Sequence, residues 1–191
     1  MISLLRHPFT ALLARPTECG KMMDSPPRRV VYCYEEYQQL FSKYPMVTFH
    51  QGLPNLDDFD GREPTLLAVD DLMNETDDSV ANLFTKRSHH RNVIVVFLVQ
   101  NLFYKNKHIR TISLNAHYLV LFKYQRDASQ FASLACQMYA KKSAFAVEAY
   151  RDATREPCSY LSVELRTEQN EDLRLRTNIF PNETVYFNVP K

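Results

Sequence analysis

Apolar positions in this chain gather into short, dense runs rich in β-branched residues, at 9–14, 30–34, 65–69, 93–99 and 118–122. Runs of this length, apolar at successive positions, predict strands buried on both faces of a parallel sheet. Between them, residues 35–44, 72–86, 126–140 and 143–154 read as helices. Within 126–140, Phe131, Leu134, Ala135 and Met138 fall at helical spacing and make one apolar face. Strands alternating with helices predict an α/β fold of the doubly wound type, a mainly parallel sheet flanked by helices. The tail, at 160–165, 173–179 and 185–189, reads as extra C-terminal strands, antiparallel at one edge.

Composition narrows this picture only a little. A chain of 191 residues with no repeat or low-complexity stretch predicts one continuous domain over 1–191. Lys and Arg total 23 against 22 Asp and Glu, so no overall basic field argues for nonspecific nucleic-acid binding. The three glycines, Gly20, Gly52 and Gly61, leave most turns to Pro, Asn and Asp. Cys19, Cys33, Cys136 and Cys158 form no C-x-x-C pair, and three of them sit in apolar or strand-like contexts. Buried reduced thiols are therefore expected, with no disulfide and no structural zinc. No apolar run approaches ~18 residues and no secretory leader pattern opens the chain. The expectation is a soluble intracellular protein, in nucleus or cytoplasm, without a membrane partner.

Candidate chemistry begins after the first run. Arg15-Pro16-Thr17-Glu18-Cys19-Gly20-Lys21-Met22 follows the spacing of a phosphate-binding loop, G-x-x-x-x-G-K-[ST], whose backbone N–H groups wrap phosphates. Gly20 and Lys21 are in place. Arg15 stands at the first glycine position, and Met22 stands where a hydroxyl would reach Mg²⁺. The run at 65–69 ends in Asp70-Asp71. A carboxylate at such a strand end can hold the Mg²⁺ water shell, and the next can polarise an attacking water. Asp70 is the candidate metal-side group and Asp71 the candidate base; the alternative is an Asp N-cap for a helix starting at Leu72. The run at 93–99 ends in Gln100, an amide placed to sense a γ-phosphate or the attacking water. Before it, Lys86-Arg87-Ser88-His89-His90-Arg91 concentrates cations. Arg91 or Arg87 is a candidate arginine finger toward a neighbouring subunit's nucleotide; otherwise the cations complement a helix C-terminus.

Together these residues resemble the DNA-packaging ATPases of Maverick/Polinton-type mobile elements and related large DNA viruses, within the FtsK/HerA superfamily of P-loop NTPases. The resemblance runs from about His7 onward. Its most specific blocks are His7-Pro8-Phe9-Thr10, Val31-Tyr32-Cys33-Tyr34, Phe49-His50-Gln51-Gly52-Leu53-Pro54 and Asp70-Asp71-Leu72-Met73. It continues through Ser88-His89-His90-Arg91-Asn92, Val99-Gln100-Asn101-Leu102-Phe103 and Leu173-Arg174-Leu175-Arg176. It implies a RecA/FtsK-like fold, Mg-ATP as cofactor, and a homo-oligomeric ring acting on duplex DNA. By position it assigns Gly20 and Lys21 to phosphates, Asp70 to Mg²⁺ through water, and Asp71, Gln100 and Arg91 to catalysis.

The departures are as informative as the matches. The family pattern has a full helix after the loop; here Lys21 is followed almost at once by Pro26-Pro27 and the second run. Residues 1–28 thus read as a degenerate P-loop region with a truncated first crossover, which leaves open whether the first strand keeps a central slot, slips to the sheet edge or stays loosely attached. Arg15 takes a positive φ less readily than glycine, and Met22 offers sulfur where Mg²⁺ prefers oxygen. The expectation is an ATPase-like protein derived from a packaging motor and impaired in ATP binding and hydrolysis. The alternative is a non-catalytic remnant or ring-docking subunit. A sequence-specific DNA binder fits poorly: no helix-turn-helix or zinc-finger pattern is present, and alternating Arg174 and Arg176 read as a solvated sheet edge.

Overall fold

The structure is a computed structural model that describes residues 10–14, 27–72, 92–99, 107–123, 129–168, 170–179 and 184–189. Each dense apolar run forms a strand: β1 (Thr10–Ala14), β2 (Arg29–Tyr34), β4 (Thr65–Asp70), β5 (Val93–Val99) and β6 (Tyr118–Phe122). The tail supplies β7 (Tyr160–Glu164), β8 (Leu175–Thr177) and β9 (Tyr186–Phe187). With β3 (Thr48–Gln51) they make one nine-stranded sheet, ordered β3-β2-β4-β5-β1-β6-β7-β8-β9. Every ladder from β3 to β6 is parallel, and those joining β7, β8 and β9 are antiparallel. The fold is the expected α/β architecture, with the antiparallel extension on one flank.

Burial explains why the runs are apolar at consecutive positions. On one face Val31, Leu67, Val95, Phe97, Leu119, Leu121 and Val163 join a single core. On the other, Ile94, Tyr118, Val120, Phe122, Tyr160 and Ile179 form a second cluster. The first face is covered by α2 (Ser129–Met138) and α3 (Ser143–Ala153), while α1 (Lys107–Asn115) contributes the fully buried Ile112. Ala146, Ala149 and Ala153 recur along α3, and their small side chains let the helix lie close to the sheet. Tyr150 of α3 stacks on Phe131 at 4.4 Å and donates a 2.8 Å hydrogen bond to the Phe122 carbonyl.

Three sequence expectations need correction, and β3 and α1 were not foreseen. Residues 35–44 do not form an α-helix; only Gln39–Lys43 coil, as a 3₁₀ turn. Pro45 disfavours helical backbone at Tyr44, whose φ of −121° and ψ of 69° lie outside the α region. β3 went unpredicted because its sequence, TFHQ, holds one apolar residue, as suits an exposed edge strand. Of the described cysteines, Cys33 is buried as expected of these thiols, whereas Cys136 and Cys158 are exposed. Arg176, read as solvated, is 4% exposed and pairs with Glu164. Their two strands lie in the same sheet, and both side chains are buried there, where a charge must find a partner.

Candidate functional site at the carboxyl edge of the sheet

Ligands of open α/β sheets gather beyond the carboxyl ends of the strands. Here three such ends are brought level by register. Asp70 closes β4 opposite Leu98 of β5, and Val99 of β5 lies opposite Ala14, the last residue of β1. β4 and β1 therefore end about 10 Å apart, two inter-strand spacings, with β5 between them. The chain leaves β1 for β2 on one flank and leaves β5 for β6 on the other. Thus the strand that leads into Arg15–Met22 ends close to the strand that ends in Asp70-Asp71.

Asp70 and Asp71, adjacent in sequence, are built differently. Asp70 is half-buried and receives a 2.5 Å hydrogen bond from the Tyr32 hydroxyl to Oδ2. Strand alternation sets Tyr32 of β2 on the face of Asp70, away from Val31 and Val69 in the main core. Tyr32 sits opposite Ala68, so Asp70 is its diagonal neighbour, within reach of a long side chain. The tyrosine ring contacts Phe41 and Phe49 at 5.7 and 5.8 Å, and those two stack on each other at 4.3 Å.

Asp71 turns the chain. Its backbone N–H donates to the Leu98 carbonyl at 3.2 Å, which extends the β4–β5 contact by one residue. Its φ is then 54°, the left-handed region that Asp tolerates better than most residues. An N-cap residue usually has extended backbone; of the helix expected over 72–86, residues 73–86 lie outside the described residues. Leu72, 1% exposed, anchors the turn in the core. Beyond β3, Gly52 has φ 71° and donates to the Tyr34 carbonyl at 2.9 Å, a turn where glycine is needed. There His50 Nδ1 lies 3.1 Å from the Gly52 carbonyl oxygen, and Gln51 Nε2 donates to the Glu35 carbonyl.

The structure thus brings Asp70 and Asp71 to the same edge as the end of β1. Gly20, Lys21, Arg87, Arg91 and Gln100 lie outside the described residues. Tyr32 was missed in sequence, where it is simply a tyrosine in an apolar run; its partner is defined only once β2 pairs with β4. As for a metal, no group of three or more His, Cys, Asp and Glu able to hold one occurs among the described residues. Two adjacent carboxylates are nonetheless the donor set Mg²⁺ uses when phosphates and waters complete its shell. None of the described helices is long and apolar enough to cross a membrane.

Comparison with known proteins is sparse. No family model and no curated protein matches the chain. Among solved structures it is similar to the genome packaging NTPase B204 from Sulfolobus turreted icosahedral virus 2, determined in complex with ATP-gammaS. That likeness has 9% sequence identity and a TM-score of 0.47, over 96% of this chain and 97% of that one.

Proposed function

We propose that the carboxyl edge of this sheet is a nucleoside-triphosphate site of the P-loop type, inherited from an ATP-driven DNA-packaging motor and weakened in this chain. The observation that carries the reading is the alignment of β1, β5 and β4, which sets Asp70-Asp71 level with, and one strand removed from, the end of the strand leading into Gly20-Lys21. In this reading Gly20 and Lys21 hold phosphates, and Asp70 holds Mg²⁺ through its water shell. Asp71 takes a proton from the attacking water, Gln100 senses the nucleotide, and Arg91 acts on the site of a neighbouring subunit. When bound, Mg²⁺ would neutralise charge on the phosphates. A homo-oligomeric ring around duplex DNA belongs to the same proposal.

Two features support the weakening. Arg15 and Met22 replace the glycine and hydroxyl that such a loop uses. The link from β1 to β2, residues 15–28, must also cross three strand spacings, about 15 Å, and run back along a strand of about 17 Å. Extended, its fourteen residues could reach about 45–50 Å, but coiled throughout they would span only about 21 Å. Loop, crossing and return share those fourteen residues, where the family pattern has a full helix aiming its N-terminal N–H groups at phosphate.

The test is phosphate release from Mg-ATP by purified protein, with and without duplex DNA, alongside calorimetric titration of Mg-ATP. The reading expects Kd in the high micromolar to millimolar range, weakened further by Lys21→Ala. It also expects slow DNA-stimulated release that Asp71→Asn abolishes. Micromolar affinity lost in Lys21→Ala would show an undamaged site. The two substituted loop positions favour a second reading, a non-catalytic remnant. It expects no release, and no change in nucleotide affinity from Lys21→Ala or Asp70→Asn.

A further inference from the structure

Tyr32 and Asp70 come from strands far apart in sequence, and they meet only because β2 lies against β4. A carboxylate at a strand end has two free side-chain torsions, and a metal ligand set works best when those are fixed before binding. Here one oxygen, Oδ2, is held by the Tyr32 hydroxyl. The hydroxyl is itself held, because the ring is packed against Phe41, 7% exposed, and Phe49 of the neighbouring strand. A chain of contacts thus runs from the sheet edge through two phenylalanines and one phenol to the carboxylate. With Oδ2 occupied, Oδ1 is the oxygen left for an outer ligand.

We propose that Tyr32 is a positioning residue that fixes the Asp70 carboxylate for the Mg²⁺ water shell of a bound triphosphate. This rests on the triphosphate reading above. The competing account is that the phenol merely satisfies its own hydroxyl in a half-buried place, which would affect stability alone.

The experiment uses the full chain with Mn²⁺, visible by electron paramagnetic resonance, and a non-hydrolysable ATP analogue. Wild type, Tyr32→Phe, Asp70→Asn and the double variant are compared in three measurements: analogue affinity with Mn²⁺, affinity in excess EDTA, and urea unfolding. Tyr32→Phe keeps the ring and its packing and removes only the hydroxyl. Loss of the partner of a directly bound ligand typically costs about 10–100-fold in metal affinity, and since Asp70 acts through water the low end of that range applies. The proposal therefore expects Tyr32→Phe to weaken Mn²⁺-dependent binding about tenfold and to leave metal-free binding unchanged. It also expects the hydroxyl to matter no further once Asp70→Asn is present. If Asp70→Asn weakens Mn²⁺-dependent binding but Tyr32→Phe does not, the positioning role is wrong while the triphosphate reading survives. Equal weakening by Tyr32→Phe with and without Mn²⁺ also overturns it, as a general structural effect. If Asp70→Asn is without effect, the triphosphate reading fails and the role of Tyr32 falls with it. Urea unfolding separates these outcomes from misfolding, since coupling between the two side chains is read there without nucleotide.

Discussion

Asp71 shows how much one backbone angle decides at this site. With φ at 54°, it tolerates Asn but not a β-branched residue. Asp71→Val is expected to cost about 1–2 kcal/mol more in urea unfolding than Asp71→Asn. Asn is therefore the proper substitution for testing chemistry without disturbing the turn. A second residue-scale prediction concerns the thiols. Burial pushes the Cys33 thiol from its ordinary 9.0 up to about 12, whereas Cys136 and Cys158 are exposed. Brief alkylation of the native protein near pH 8, read by peptide mass spectrometry, should modify Cys136 and Cys158 and spare Cys33 until the chain is unfolded. The folded state holds the Cys33 proton more tightly than the unfolded one, so this group favours unfolding as pH rises from about 9 toward about 12. Cys33→Ala should flatten that part of a plot of Tm against pH. The carboxylates were legible as a pair because an apolar run ended in them, but their different conformations were not. Those depend on which strands flank β4.

At the scale of elements, the antiparallel extension is held by an unusual polar contact. Glu164 of β7 and Arg176 of β8 are both buried and form an ion pair. Arg176 Nε also donates to the Leu173 carbonyl at 3.0 Å, and its guanidinium lies over the Phe187 ring of β9. Removing one member of a buried pair leaves the other charge unpaired, at a cost of about 3–5 kcal/mol. Glu164→Ala should lower stability by that order, whereas exchanging both residues for apolar ones of similar volume should recover most of it; chemical denaturation of the wild type and these two variants checks this. On the helical side, Ala149 of α3 is 4% exposed in the packed core. Ala149→Leu should cost about 1–3 kcal/mol by pushing the helix off the sheet. Elements were legible in proportion to their burial on two faces. β5 and β6 stood out as apolar runs, while β3 and α1 did not, since β3 is an exposed edge and Lys107–Asn115 is largely polar in sequence. Local pattern carries burial, and a strand without burial is specified by its neighbours.

At the scale of the molecule, the alternation of runs was enough to give the parallel sheet, but strand order was not in the pattern. That order is set by crossovers whose direction no single segment encodes. Its most telling member is β1. Before β1 is placed, the remaining strands fall into two separate ribbons, β3-β2-β4-β5 and β6-β7-β8-β9. Among the described residues β1 is the one backbone ladder that joins them, pairing with β5 on one side and β6 on the other. It precedes both ribbons in the chain, so it must wait for a partner more than eighty positions downstream before the sheet can close. Closure of the sheet and the levelling of the β1, β5 and β4 ends are then one event. A change that unzips β1 would therefore cut the backbone ladder at its keystone and leave the two ribbons joined by side-chain packing alone.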